Sequence, residues 1–240
     1  MGVTLWLVPL QQDAERLRRI MRIRPSSKPL TGDASYPDFD PHITLLALPA
    51  DSEITLDALR NAIPNAQKSL SIGFKAVETS DHFFRSALIT IIPTAELLAL
   101  HEHVHASLKL DPRTPMFPHV SLCYITDEDA QRGERDKYLH ELETQGRIKR
   151  EVGSPRVSLD CGEQGVQDWM DGFSACEVWI AECNGPVASW KILDKIRLAT
   201  NFTRSTSARK IVVRAISSNY TPSYPKVSRR AYMFFTLQDR

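Results

Sequence analysis

The sequence predicts an α+β fold in which antiparallel strands are flanked by helices. Short apolar runs bounded by prolines or turn residues alternate with segments whose apolar residues recur at helical spacing. Several strand-like runs follow one another at hairpin distance, whereas a parallel sheet would need a crossover helix between them. With 42% hydrophobic and 25% charged residues among 240, the composition is typical of a globular protein that can bury a sizeable core.

The first 92 residues are predicted to alternate strands with helices. Val3–Pro9 is a compact apolar run that ends at a proline, which favours a strand, and Asp13 is expected to cap the helix that follows. His42–Leu48 lies between two prolines and is predicted to be the next strand. The apolar residues of Thr55–Lys68 recur on one helical face, which indicates a helix. The remaining predicted strands of this half are Ser71–Val77 and Ser86–Ile92.

The second half begins with the strongest helical pattern, which follows Pro93 and Thr94 and ends at Leu108. Its inward positions are expected to be Leu97, Leu98, Val104 and Leu108. Val120–Ile125 is predicted to be a strand and Asp127–Glu143 a charged surface helix. Further short strands are predicted at Val157–Leu159, Ala175–Glu182 and Ser189–Leu193. Neither GxGxxG nor GxxxxGK[ST] occurs, so a dinucleotide or P-loop site is not indicated.

Charge is unevenly distributed along the chain. Residues 201–240 hold eight basic residues and one acidic residue, whereas the first 200 hold 22 basic and 28 acidic residues. We therefore predict a domain over residues 1–199 and a basic, Ser/Thr-rich extension over residues 200–240. The acidic body argues against a long nucleic acid as partner, because binding phosphates needs surface cations. No apolar run approaches roughly 20 residues and no basic leader opens the sequence, so we expect a cytoplasmic protein without a membrane partner.

Residues 101–105, HEHVH, satisfy the HExxH pattern of zinc peptidases. On a helix, His101 and His105 lie one turn apart and could both bind zinc, with Glu102 as the base. The longer form of the motif is not continued, because Asp111 stands where it places a third histidine. We interpret these residues as a polar, histidine-rich helix surface, and a zinc metallopeptidase stays as an alternative.

A five-residue pattern, Pro-His-aliphatic-(Thr/Ser)-Leu, occurs twice, with its histidines 77 positions apart. Each copy opens a predicted strand, where alternate side chains point to the same face. His42 and Thr44 therefore share a face of one strand, and His119 and Ser121 share a face of the other. Histidine can act as base or acid near neutral pH, and hydroxyls can hold phosphate oxygens where charge develops. The repeat predicts a phosphodiester-cleaving site with no metal and no cofactor.

The duplicated His-x-(Thr/Ser) signature resembles that of the 2H phosphoesterase superfamily. The strand around Trp6, the segment 82–84 (HFF) and the segment 118–124 (PHVSLCY) are similar to the 2′,3′-cyclic-nucleotide 3′-phosphodiesterases of plants and fungi. The resemblance covers about residues 3–195. It implies a bilobal fold of two antiparallel sheets with outer helices and a central cleft.

The resemblance also implies an activity and its residues. Family members open ADP-ribose 1″,2″-cyclic phosphate and nucleoside 2′,3′-cyclic phosphates without metal, to ADP-ribose 1″-phosphate and nucleoside 2′-phosphates. The first of these substrates derives from tRNA splicing. Carried onto this chain, His42 and His119 are the acid/base pair in either order, Thr44 and Ser121 bind the phosphate, and Tyr124 lies near the attacking water. The expected partner is a small cyclic phosphate and the expected state a monomer.

Two points stay open at this stage. Fungal relatives are associated with the Golgi, so that location stands beside the cytoplasm. A 2H-like module that processes or ligates RNA ends is a further alternative to hydrolysis of small substrates.

Overall fold

The computed structural model describes residues 2–25, 30, 34–151 and 153–199, so the predicted extension over residues 200–240 lies outside the described residues. Strands and short helices alternate along the described chain. The strands are β1 (Val3–Pro9), β2 (Ile43–Ala47), β3 (Leu70–Thr79), β4 (Ala87–Ile91), β5 (His119–Cys123), β6 (Ile148–Arg150), β7 (Val157–Asp160), β8 (Trp169–Met170), β9 (Gly172–Glu182) and β10 (Lys191–Arg197). The helices are α1 (Gln11–Met21), α2 (Leu56–Asn61), α3 (Ala95–Ser107), α4 (Asp127–Ala130) and α5 (Glu134–Thr144).

Seven of these strands form one antiparallel sheet in the order β1-β2-β5-β4-β3-β9-β10. Because β1 also pairs with β9, the pairings close into a circuit of six strands, and β10 extends it. The strands β6, β7 and β8 form a second antiparallel sheet. The predicted α+β class with two antiparallel sheets is confirmed, and β2 and β5 are neighbours.

The core lies between the sheet and the helices α1, α3 and α5. Their inward apolar side chains, such as Leu17 and Val104, are fully buried. Burying one leucine of this kind contributes about 1.5–3 kcal/mol. The largest fully buried side chain among the described residues is Tyr138 of α5, whose hydroxyl donates to the carbonyl oxygen of Ile20 in α1 at 3.0 Å. The phenol therefore ties two helices together without leaving a buried polar group unpaired.

Two predicted helices are shorter than expected. The helix predicted over Thr55–Lys68 ends at Asn61, because Pro64 cannot continue an α-helical turn. The helix predicted over Asp127–Glu143 is divided into α4 and α5 at Gly133, whose φ of 77° is left-handed.

The predicted capping role of Asp13 is also wrong. Leu10 occupies the cap position of α1, and the Asp13 carboxylate instead accepts a hydrogen bond from the backbone N–H of Ser174 at 3.3 Å. It therefore links α1 to β9 rather than closing the end of the helix.

The helix α3 begins as predicted, because the Thr94 hydroxyl accepts from the N–H of Leu97 at 3.3 Å. Its inward face differs from the prediction. Leu98 is 39% exposed, whereas His101 and His105 are 6% and 3% exposed. The interpretation of these histidines as a polar surface is therefore wrong. Among the described residues, no helix is long and apolar enough to cross a membrane.

Candidate active site

The two histidine motifs lie side by side in the sheet. The strands β2 and β5 are antiparallel, with Ile43 opposite Val120. Continuing this register sets His42 against Ser121 and Thr44 against His119, so a local two-fold axis passes between the strands. All four of these side chains line one cleft of about 270 Å³. Ile43 and Val120 point the other way and are fully buried.

Each five-residue motif ends in a β-bulge at the same position. On β2, Trp6 and Leu5 of β1 pair with Thr44 and Leu46, so Leu45 has no partner there. On β5, the pairing with β4 omits Leu122 in the same way, because the register shifts between Ser121 and Cys123. The last leucine of each five-residue pattern is therefore the bulged residue, and the two-fold relation of the motifs includes their bulges.

The bulge explains why Tyr124 faces the cleft. In a regular strand, Tyr124 would point away from Ser121, because the two are an odd number of residues apart. The extra residue reverses the alternation, so Tyr124 lines the cleft and Cys123 is 1% exposed. The corresponding position after the first motif is Ala47, which also lines the cleft. The phenol is therefore present in one half of the site only.

His42 is held firmly and is shielded from water. Its Nδ1–H donates to the carbonyl oxygen of Asp40 at 2.6 Å, which leaves Nε2 as its free ring nitrogen. The ring stacks on Trp6 with centroids 4.0 Å apart and is 7% exposed. This burial lowers the pKa of His42 to about 4, against the hydrogen bond to Asp40, which acts to raise it. His42 is therefore neutral at pH 7.

His119 is oriented in the same manner but is less enclosed. Its Nδ1–H donates to the carbonyl oxygen of Met116 at 2.9 Å, so Nε2 is again free. Met116 has a φ of 52°, a left-handed conformation that costs a non-glycine residue about 1–2 kcal/mol. Burial lowers the pKa of His119, and the nearby charge of Arg85 lowers it further. The pKa of His42 is the more strongly lowered of the pair.

The hydroxyls of the two motifs differ in their partners. The Ser121 hydroxyl donates to the carbonyl oxygen of Phe84 at 2.7 Å, so it must rotate before it can donate to a phosphate. Within the described residues the Thr44 hydroxyl has no such partner, and it lines the cleft. Burial raises the pKa of Tyr124, so its hydroxyl keeps its proton and can act as a donor.

An aromatic wall closes one side of the cleft. Tyr124 lies between Phe39, whose ring stacks at 3.9 Å, and Phe84, whose ring meets it edge-on at 5.3 Å. Trp190 lies 5.8 Å from both Trp6 and Phe84. These flat apolar surfaces suit a nucleobase or a ribose.

Several cleft residues are not predicted from the sequence as parts of the site, four of them with polar or aromatic side chains near its opening or walls. Arg85, His82, Thr114 and Trp190 all line it. His82 belongs to the HFF segment, and Arg85 follows that segment directly. A single sequence gives no periodic signal for them, because they lie in a 3₁₀ turn, a loop and the approach to β10 rather than within regular strands.

The histidines of the HExxH pattern are engaged in holding the loop before β5. The Thr114 hydroxyl donates to the carbonyl oxygen of Leu45 at 3.1 Å and accepts from Nε2 of His101 at 2.9 Å. His105 donates from Nδ1 to the carbonyl oxygen of His101 at 2.9 Å. Burial lowers the pKa of His101 to about 4, so it is neutral at pH 7.

A zinc site at these histidines would need a third protein ligand. Among the described residues, no group of three or more histidine, cysteine, aspartate or glutamate side chains is placed to hold a metal ion. The pattern therefore has a structural use here, as an anchor for the segment that leads to His119.

Comparisons with known proteins give a family model, a curated relative and several similar solved structures. The model of the family described as "Cyclic phosphodiesterase-like protein" matches residues 1–198. A cyclic phosphodiesterase of Arabidopsis thaliana is 22% identical over 171 residues, which cover 69% of this chain and 90% of the relative. Among solved structures, E. coli LigT complexed with phosphate has a TM-score of 0.46 at 12% identity and covers 82% of this chain and 97% of its own. A Thermus thermophilus protein, TT0787, has a TM-score of 0.44 at 14% identity and covers 84% and 100%.

Proposed function

The chain belongs to the cyclic phosphodiesterase-like protein family, and on that premise we propose that it hydrolyses cyclic phosphates on ribose without a metal ion. The membership confirms the resemblance to the 2H phosphoesterases. The proposed substrates are ADP-ribose 1″,2″-cyclic phosphate, a by-product of tRNA splicing, and nucleoside 2′,3′-cyclic phosphates. The proposed products are ADP-ribose 1″-phosphate and nucleoside 2′-phosphates.

One observation carries this proposal: two histidine–hydroxyl pairs on adjacent antiparallel strands line the same cleft. Each imidazole is tied by Nδ1–H to a backbone carbonyl oxygen, which leaves Nε2 for proton transfer. Ring opening needs one group that takes a proton from water and one that gives a proton to the departing oxygen. Two histidines held in this way supply both.

In the proposed reaction, one Nε2 takes a proton from water while the water oxygen forms a bond to phosphorus. The bond from phosphorus to the 3′ oxygen breaks, and the protonated Nε2 of the other histidine donates its proton to that oxygen. Thr44, Ser121 and Tyr124 donate hydrogen bonds to the remaining phosphate oxygens or to the water. The product keeps its phosphate on the 2′ oxygen.

We assign the base to His42 and the acid to His119. When the pair holds a single proton, that proton resides on the histidine with the higher pKa. The pKa of His42 is lowered to about 4 by its deeper burial, so His119 holds the proton and His42 is free to accept one. The sequence alone leaves this order open, because the two motifs are alike.

The direct test is to identify the product. Purified protein is incubated in EDTA with 2′,3′-cyclic AMP in water enriched in ¹⁸O, and the nucleotide is separated and weighed by mass spectrometry. The proposal predicts adenosine 2′-phosphate that carries one heavy oxygen. Formation of the 3′-phosphate, loss of activity in EDTA, or cleavage of a peptide substrate in its place would contradict it. A cyclic-phosphate-ended oligonucleotide in a parallel assay tests the RNA-end alternative.

A further inference from the structure

Arg85 is an unusual residue in this cleft. It is the only lysine or arginine among the described residues that line the cleft, and no aspartate or glutamate lines it. Within the described chain its guanidinium has no ion pair, and its buried Nε has no hydrogen-bond partner. A buried donor left without an acceptor costs free energy. An anion that enters the cleft would supply the missing acceptor.

His82 provides a second donor beside Arg85. The backbone N–H of Phe84 donates to Nδ1 of His82 at 3.2 Å, so that nitrogen carries no proton and the neutral ring holds its proton on Nε2. His82 is exposed and also lines the cleft, which places it at the opening. Burial and the charge of Arg85 both lower the pKa of His82, which keeps it neutral. The Nε2–H is then available to an incoming acceptor.

The cyclic phosphate does not need these two donors. Its oxygens are served by His42, His119 and the hydroxyls of Thr44 and Ser121 around the two-fold axis. The cation and the imidazole N–H come from the 3₁₀ turn that precedes β4 and not from the two strands that carry the motifs, and the charge of Arg85 is close enough to His119 to lower its pKa. An arginine with a free fork of donors binds phosphate oxygens in pairs.

We propose that Arg85 and His82 form a second phosphate subsite at the opening of the cleft, which binds a phosphate group of the substrate other than the cyclic one. The inference rests on the proposed function, because it assumes a cyclic phosphate at the histidine pair. The ligand class is a ribose cyclic phosphate that carries a further phosphate monoester or a diphosphate. The subsite makes the enzyme select such substrates over a bare nucleoside cyclic phosphate.

The test compares two substrates that differ by one phosphate: 2′,3′-cyclic AMP and adenosine 5′-phosphate 2′,3′-cyclic phosphate. Arg85→Gln is expected to raise KM for the second substrate by about 10- to 100-fold, the usual effect of losing hydrogen bonds to a charged group. KM for the first substrate should change by less than about twofold, and loss of the Arg85 charge, which lowers the pKa of His119, should alter kcat for both substrates alike. His82→Asn keeps an acceptor for the N–H of Phe84 but replaces the Nε2–H by an amide donor with a shorter reach, so it should raise KM for the second substrate alone, by a smaller factor.

Arg113→Gln is the matched control. Arg113 lies one residue before Thr114 of the cleft wall, is exposed, and pairs only with Asp111 within the described chain. Its replacement should therefore leave kcat and KM for both substrates unchanged. If Arg85→Gln does not fold, Arg85→Lys is the test variant in its place, because lysine keeps the charge but cannot donate two parallel hydrogen bonds to a phosphate. It should still raise KM for the second substrate only.

Three outcomes separate the claims. Equal increases in KM for both substrates in the Arg85 variants would overturn the second subsite and place Arg85 at the cyclic phosphate. No change on either substrate would overturn any role in binding. Failure of the unaltered protein to hydrolyse either substrate would instead contradict the proposed function.

Discussion

Replacing Trp6 with Phe should raise the apparent pKa of the acid limb of the pH–activity profile. The indole covers one face of His42 at 4.0 Å, and burial holds the pKa of that ring at about 4. Complete exposure would return the pKa toward the ordinary value of about 6.5, a change of roughly 2.5 units. A phenyl ring covers less of the imidazole than an indole does. We therefore expect a rise of about one unit, which corresponds to about 1.4 kcal/mol.

The assay is kcat/KM for 2′,3′-cyclic AMP between pH 3 and pH 9. The unaltered protein should give a bell with its maximum below pH 6.5, because the pKa values of both histidines are lowered. Its acid limb reports protonation of the base and its alkaline limb deprotonation of the acid. Trp6→Phe should move the acid limb upward and leave the alkaline limb in place.

The control is Trp169→Phe on β8, which is 36% exposed and does not line the cleft. It should leave both limbs unchanged. If Trp6→Phe folds, as judged by its melting curve, and moves the alkaline limb or neither limb, His42 is not the group that titrates in acid. The assignment of His42 as base would then be refuted.

Three further predictions follow from the same geometry. His119→Ala should recover activity on catechol cyclic phosphate, whose phenolic leaving group needs no acid, whereas His42→Ala should not; the opposite pattern in an initial-rate assay would exchange their roles. Replacing His101 and His105 with Ala should lower the free energy of unfolding by about 2–4 kcal/mol in urea denaturation, since both are buried and hydrogen-bonded; an unchanged stability with lost metal would revive the zinc alternative. Ending the chain at residue 199 should leave kcat/KM unchanged, since the family match ends at residue 198; loss of activity in a folded, truncated protein would place the extension in the catalytic unit.

The strand pattern and the paired histidine motifs can be predicted from the sequence, because both depend on local chemistry. A proline-bounded apolar run such as Val3–Pro9 has few alternatives to a strand, and β1 has those bounds. A repeated His-x-hydroxyl pattern fixes which side chains share a face, and the pairing of β2 with β5 brings the two faces together.

The features that could not be predicted from the sequence depend on tertiary contacts. The burial of His101 and His105 comes from the loop that packs on α3, since Thr114 and Phe117 contact the His101 ring at 2.9 Å and at a ring distance of 4.0 Å. Polarity alone favours a surface position for both. The place of Arg85 is set by a 3₁₀ turn that no periodicity marks.

Which histidine acts as acid and which as base also cannot be predicted from the sequence. The two motifs have the same residue types, so only their surroundings can distinguish them. Trp6 stacks on His42, whereas His119 is partly open to solvent and lies near Arg85. These contacts join residues that are far apart in the chain.

The central claim is that two histidines divide the proton transfers of ring opening. The most direct measurement is the turnover of 2′,3′-cyclic AMP by His42→Ala and His119→Ala, with His103→Ala, an exposed histidine of α3, as control. Each of the first two should lower kcat by about 10²- to 10⁴-fold while the protein stays folded, and His103→Ala should not. Near-normal turnover in either His42→Ala or His119→Ala would contradict the two-histidine mechanism.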